Sequence, residues 1–304
     1  MSFVPEELVR NATELRGAEG AEWANRLPTL AADCGRRWSL RVGPPFPELS
    51  QNWVAPALRA DGTASVLKLS FPEDPEFRTE AQALRLFNGR GIARLLELDL
   101  DRGAMLLERL DPGVPLDTVE DDEEAMSIAA DVLRRLWRPA PADHPFPLVS
   151  DLARGLMRLR RHFGGGTGPL PARLVEEAEA LFAELIPSQA EPVVLHGDLH
   201  HGNILAARRR PWLAIDPKGV VGELTFDTGA LLYNPTELLE VPRPERILKR
   251  RIDQLAEELD LDSARVRGWG LSRAVLAAYW GWEDSGEVWD EALAFAELLA
   301  AIKV

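Results

Sequence analysis

Apolar positions recur at near-helical spacing over residues 5–38. Leu8, Leu15, Trp23, Leu27 and Leu30 form the stripe, so this segment is expected to be an amphipathic helix. From 38 to 72 the period changes. WSLRVG and NWVAPALRADGTASVLKLS read as strands, with Asp61-Gly62 as a hairpin turn. Residues Pro75 to Gly89 return to a helical pattern that stops near Gly89–Gly91. Ile92–Leu100 and Gly103–Leu110 read as two more strands joined by a turn at Asp99–Gly103, and Asp111-Pro112-Gly113 breaks the chain direction.

Beyond that break the pattern is mainly helical: Glu120–Trp137, Leu152–Phe163, Ala172–Leu185, and from Glu245 to the C-terminus. EDDEE at 120–124 reads as a solvated acidic first turn, which suits the helix dipole. Pro139–Pro147 is a proline-rich connector. GGGTGPLP at 164–171 is an exposed loop, not followed by the Lys-Ser/Thr of a phosphate-binding P-loop. The order predicts an N-terminal part over 1–107, with a helical preface at 1–38 and a sheet plus one helix at 38–107. A linker at 108–113 and a larger helical part at 114–304 follow. Two lobes on one short linker make a cleft, a usual place for a ligand.

Composition narrows the class. The chain of 304 residues is long enough for one large domain or two modest lobes. Hydrophobic residues make up 46% and charged residues 28%, the balance of a soluble globular protein. MSFVPEELVRNATEL has no basic stretch before an apolar run, so no secretory leader is expected, and no apolar stretch approaches the roughly 20 residues of a membrane span. Cys34 is the one cysteine, which rules out an internal disulfide and argues against a cysteine-based zinc site; the cytoplasm is the expected compartment. The formal charge is 35 − 49 = −14, which argues against a nucleic-acid partner; an acidic surface would help to concentrate a cationic substrate near a cleft, and it also serves solubility alone.

The chemistry concentrates in VVLHGDLHHGNIL at 193–205. An apolar strand enters, a polar loop at 196–203 follows, and an apolar segment leaves. Polar groups in a partly buried loop are costly unless they are used. Asp198 and Asn203 supply two of the groups that phosphoryl transfer needs: a carboxylate to orient the acceptor hydroxyl and take its proton, and an oxygen ligand for Mg²⁺. Ile204–Ala206 and Trp212–Ile215 read as a hairpin around the basic turn at 207–211, which would bring Asp216 back beside Asn203 as the carboxylate Mg²⁺ prefers. In the first part, Lys68 lies inside VLKL and needs an anionic partner if buried. Glu80, one turn from both Phe77 and Leu84 on the next helix, is the candidate.

HGDLHHGNIL, then AIDPKG, then FDTGALLYNP resemble the aminoglycoside phosphotransferases. DPKG at 216–219 favours the streptomycin 6-kinase and hydroxyurea-resistance kinase group. EWANRLPTLAADCGRRWSL, DGTASVLKL, TEAQALRLFNGRGIARLLELD, GAMLLERLDPG and RGWGLSRAVLAAYW follow in matching order, so the likeness covers nearly the whole chain. It implies an α+β, two-lobed, protein-kinase-like fold, with a small antiparallel-sheet lobe holding one key helix and a larger helical lobe. It also implies an ATP-dependent phosphotransferase acting on an alcohol group. Asp198 would be the catalytic base, with Asn203 and Asp216 as Mg²⁺ ligands. Lys68, braced by Glu80, would contact ATP phosphates. Residues 108–113 would be the hinge, where the carbonyl of Glu108 and the N–H of Leu110 hold adenine with Leu107 behind it. His196 would tie the catalytic loop together, and Asp227 would brace it from a helix start as an N-cap.

The acceptor expected is an aminoglycoside of streptomycin type. Glu223, Trp282, Glu283 and Asp284 are the candidate residues for its cationic groups. A sugar, an amino sugar, an amino alcohol or hydroxyurea stays open as the acceptor. The family's phosphate loop is usually glycine-rich, but GPPFPELSQN at 43–52 has one glycine and three prolines, leaving Ser50, Gln51 and Asn52 as donors. That departure keeps a second reading open, a ligand-binding pseudokinase. A third comes from H-x-D-x-H-H at 196–201, which is dense enough in ligands for a metal-dependent hydrolase.

Overall fold

The computed structural model describes residues 3–47, 49 and 51–304. The chain divides into two compact units, Met1–Gly113 and Val114–Val304.

The first unit opens on α1 (Glu6–Arg37) and continues through β1 (Leu40–Val42), β2 (Trp53–Arg59), β3 (Ala64–Leu69), α2 (Pro75–Phe87), β4 (Leu95–Asp99) and β5 (Ala104–Glu108). The five strands form one antiparallel sheet in the order β1-β2-β3-β5-β4. Helix α2 starts where the sequence places it. Asp74 accepts the Glu76 N–H at 2.9 Å, and Pro75 takes the first turn, where its missing N–H costs nothing. Trp53, Leu67, Leu69 and Leu106 from the sheet pack with Leu8, Trp23 and Leu27 of α1. Fully burying each such side chain contributes about 1.5–3 kcal/mol.

The expected single helix at 5–38 is broken. Gly17 takes φ 59°, ψ −134°, a conformation open to glycine, and the chain folds back there. The turn resets the helical phase. Leu8, Trp23, Leu27 and Leu30 reach the core, while Leu15, predicted in the same stripe, is 56% exposed.

β6 (Pro112–Pro115) carries the chain onward. The second unit contains α3 (Asp122–Leu136), β7 (Arg138–Pro139), α4 (Val149–His162), α5 (Ala172–Leu185), β8 (Val193–Leu195), β9 (Ile204–Ala207), β10 (Trp212–Ala214) and β11 (Val220–Gly222). A short helix α6 (Gly229–Leu232) and the longer α7 (Pro244–Leu259), α8 (Ser263–Ser285) and α9 (Asp290–Ala301) complete it. The α+β architecture expected from the sequence is the one observed. β8 is the middle strand of a small sheet ordered β11-β8-β7, and β9 and β10 form the predicted hairpin. Helix α8 is buried on nearly every face from Val266 to Tyr279, so its neighbours are positioned by packing on all sides. Among the described residues no helix is long and apolar enough to cross a membrane.

The acidic start of α3 differs from the expected solvated turn. Asp121 caps the helix by accepting from Glu123 and Glu124 N–H. Asp122 instead turns inward to Arg250 and Arg251, the latter 1% exposed. A guanidinium that dry requires a carboxylate partner.

Candidate active site

In the first unit the structure pairs Lys68 with Glu80. Lys68 sits on β3 and Glu80 on the apolar face of α2, each 6% exposed. The ammonium donates to both carboxylate oxygens at 2.8 and 2.7 Å. Leu107 and Glu108 end β5, opposite Val66 and Ser65 of β3. The Glu108 N–H donates to Arg94 O at 2.8 Å, and its carboxylate accepts the Arg94 N–H at 3.1 Å. Leu110 is buried just beyond the strand. In the 43–52 segment Asn52 Oδ1 accepts from Ser70 Oγ at 2.5 Å. Ser50, an expected phosphate donor, lies outside the described residues.

In the second unit β8 delivers His196, Gly197 and Asp198 into a loop held both by its own polar groups and by Asp227, Ile215 and Arg273. Gly197 takes φ 85°, and a Cβ there would press on Val220 and Lys218 at 3.0 and 3.1 Å. Glycine is what lets two successive N–H groups converge on one carboxylate. His196 N–H donates to Asp227 Oδ2 at 2.9 Å and Gly197 N–H to Oδ1 at 2.8 Å. Burial pushes the Asp227 carboxyl up, against the opposing pull of His196 and these two donors.

The His196 ring is fully buried and engaged at both nitrogens. Nε2 lies 2.8 Å from Ile215 O, and Nδ1 lies 3.2 Å from Asp198 N. A carbonyl can only accept, so Nε2 carries the proton and Nδ1 accepts the Asp198 N–H. Burial lowers the imidazole pKa, which agrees with this neutral tautomer. With Nδ1 committed, His196 has no lone pair for a metal, and the hydrolase reading loses its first ligand.

Asp198 O accepts the His200 N–H at 3.1 Å and Asn203 Nδ2 at 2.9 Å. The amide nitrogen of Asn203 is thereby committed, and its oxygen is left as a donor to a cation. Across the hairpin the Ile215 N–H donates to Asn203 O at 2.9 Å, bringing the backbone of Asp216 back beside Asn203. Asp216 itself takes φ 58°, a left-handed conformation that aspartate tolerates better than bulkier residues. One amide oxygen and one carboxylate fit the oxygen-only preference of Mg²⁺, which fills the rest of its shell with water and phosphate.

Two expectations are corrected. Asp227 lies inside the turn Leu224–Thr228 and caps no helix; both its oxygens go to the 196–197 backbone, the bracing half of the expectation. Glu223, expected at the acceptor pocket, is 6% exposed. It accepts from Arg265 Nε at 2.7 Å and Nη2 at 2.5 Å and from Trp269 Nε1 at 3.0 Å, so its charge is spent inside the fold. Glu283, at the end of α8, binds Arg158 at 2.8 and 2.9 Å and accepts the Tyr279 hydroxyl at 2.9 Å. Trp282 packs against His162 and Phe163, which also touch each other, and Asp284 is exposed next to it.

Sequence reasoning missed Arg273, although the signal was present: an arginine inside the apolar run Leu271–Tyr279 of α8. Its Nη1 donates to Gly197 O at 2.8 Å, and its Nη2 lies 3.5 Å from Asp198 Oδ1 and 3.4 Å from the Tyr233 hydroxyl.

A five-stranded antiparallel sheet carrying a buried Lys–Glu pair, and a helical unit with an Asp–Asn loop and an Asp-bearing hairpin, define a small-molecule kinase of the protein-kinase-like fold. Residues 37–286 match the family model described as aminoglycoside/hydroxyurea antibiotic resistance kinase, and the chain belongs to that family. It is 37% identical to a streptomycin 6-kinase of Streptomyces glaucescens over 95% of this chain and 94% of that protein. It is 38% identical to a hydroxyurea phosphotransferase of Kitasatospora aureofaciens over 94% of this chain and 82% of that one. The fold is similar to that of a choline kinase from Streptococcus pneumoniae, with a TM-score of 0.65 at 11% identity, covering 91% of this chain and 100% of that one.

Proposed function

We propose that the protein transfers the γ-phosphoryl group of ATP to a hydroxyl of a streptomycin-like aminoglycoside. The observation that carries the reaction is the Asp198 loop. Its backbone is fixed by His196, His200 and Asn203, while the Asp198 side chain keeps 34% of its surface exposed, enough to meet an acceptor. The acceptor class rests on 37% identity to streptomycin 6-kinase along nearly the full length of both chains.

Asp198 orients the acceptor hydroxyl and takes its proton as the hydroxyl oxygen attacks the γ-phosphorus. The bond from that phosphorus to the β–γ bridging oxygen breaks, and ADP leaves. Lys68, held by Glu80, sets its charge against the phosphates. The Glu108 carbonyl and Leu110 N–H bind adenine in a hinge at 108–113, with Leu107 behind the base. Asn203 and Asp216 would hold Mg²⁺, which when bound would neutralise phosphate charge. His196 and Asp227 keep the loop rigid, so most of the rate comes from positioning and charge stabilisation. The acceptor is a small cationic molecule met in the cytoplasm, where ATP is available, and the excess of acidic residues favours it.

Hydroxyurea is the second reading, favoured by 38% identity to hydroxyurea phosphotransferase over 94% of this chain. ADP release with Mg²⁺-ATP, measured with streptomycin, other aminoglycosides, choline and hydroxyurea, separates the two. Streptomycin-stimulated release that falls by about 10²–10⁴-fold in Asp198→Ala is the expected result. Stimulation by hydroxyurea alone would replace the acceptor, and turnover unchanged in Asp198→Ala would remove the base.

A further inference from the structure

Arg273 is 2% exposed in the middle of α8. Taking a guanidinium out of water costs several kcal/mol unless it is well paired, so its place requires a compensating arrangement. That arrangement is built on the catalytic loop. Nη1 is anchored on Gly197 O at 2.8 Å, and the guanidinium lies over the Phe226 ring, 4.5 Å from its centroid. Gly229 closes the other side: a Cβ there would sit 2.7 Å from Arg273 Cδ. Held in this way, Nη2 reaches Asp198 Oδ1 at 3.5 Å and the Tyr233 hydroxyl at 3.4 Å. The other hydrogen bonds at Asp198 all fix its main chain: N–H to His196 Nδ1, and O from His200 N–H and Asn203 Nδ2. Among the described residues Arg273 is the side chain that holds the carboxylate itself.

We propose that Arg273 is a positioning residue for phosphoryl transfer, fixing Oδ1 of Asp198 so that Oδ2 faces the acceptor hydroxyl. The inference rests on the kinase reading above. Arg273 is too deeply buried to touch the acceptor and acts through Asp198, which is 34% exposed. Rotation of the carboxylate by about 1 Å would take the reacting atoms out of line, a displacement that costs on the order of 10²-fold in rate.

The test uses Arg273→Lys, whose single ammonium cannot span Gly197 O and Asp198 together, and Gly229→Ala, which alters no charge and displaces the Arg273 stem. With streptomycin and Mg²⁺-ATP, both variants are expected to lose about 10²-fold in kcat, with both KM values within about twofold of wild type and cooperative melting retained. In an Asp198→Ala background Arg273→Lys is expected to cost nothing further. Folded variants with unchanged kcat, or a full additional loss on top of Asp198→Ala, would overturn the proposal. If Arg273→Lys does not fold, Gly229→Ala carries the test. If wild-type protein turns over none of the acceptors, the kinase reading falls separately. A crystal structure of Gly229→Ala then decides the placement: an Asp198 carboxylate in its original rotamer refutes it, and a displaced one supports it.

Discussion

Lys68 and Glu80, on a strand and a helix of the same unit, meet at 2.7 and 2.8 Å with almost no water around either. Neither charge is tolerable alone at that depth. Glu80→Ala is expected to lower the unfolding free energy by about 3–5 kcal/mol, because it leaves a buried ammonium without this partner. Urea denaturation measures it. A loss of about 1 kcal/mol or less would mean that the pair behaves as a solvated surface bridge.

Asp227 gives one oxygen to each of two neighbouring N–H groups. An amide in its place offers one acceptor and turns two further donors toward donors. Asp227→Asn is therefore expected to cost about 1–3 kcal/mol in stability. Turnover should fall as well, because the 196–198 backbone loses a support. Stability by urea titration and kcat at saturating substrates are the two readouts; an unchanged kcat would show that the loop holds its shape without this brace.

His201 sits in the same loop but is buried, and neither ring nitrogen has a hydrogen-bond partner among the described residues. Burial, and after it the positive charge of Arg251, push its pKa from 6.5 down to about 3, while Asp122 pulls the other way. Between those values the unfolded chain binds a proton that the folded chain does not. This contribution is therefore fully present above about pH 6.5 and is lost as pH falls toward 3, by about 1.4 kcal/mol per unit. His201→Leu is expected to flatten that slope in urea melts at about pH 4.5 and 7. An identical slope in the variant would mean that the ring is protonated in the folded protein.

Cys34 is 1% exposed, and burial raises its thiol to about 11, with Asp99 adding to the rise. Thiolate, the reactive form, is scarce there at neutral pH. A thiol reagent is expected to label no cysteine in the native protein and one per chain in urea; stoichiometric native labelling would contradict the burial.

The parts most legible in the sequence are those whose chemistry is local. Hairpin turns, the helix start at Pro75 and the HGDLHHGN loop each announce themselves within a few residues. The Lys68–Glu80 pair was readable because both residues interrupt apolar patterns that otherwise demand burial. What escaped was set by distant partners. Glu223 reads as an acidic pocket residue until Arg265 and Trp269, some forty positions later, claim its charge. β7 and β11 are too short to show a period, and they exist because β8 lies between them. The break at Gly17 hid inside a helical composition, since one glycine in a long amphipathic run carries no sign of its φ.

The hydrogen bond from Ile215 N–H to Asn203 O has a further consequence. Asn203 and Asp216 stand at the two feet of one hairpin, cross-linked at the base. Lengthening the turn at 208–210 extends the hairpin at its far end and leaves the spacing of its feet as it is. The geometry of the two oxygen ligands is thereby insulated from insertions at the tip, so a reporter peptide or tag can be grafted there with the ligand spacing intact.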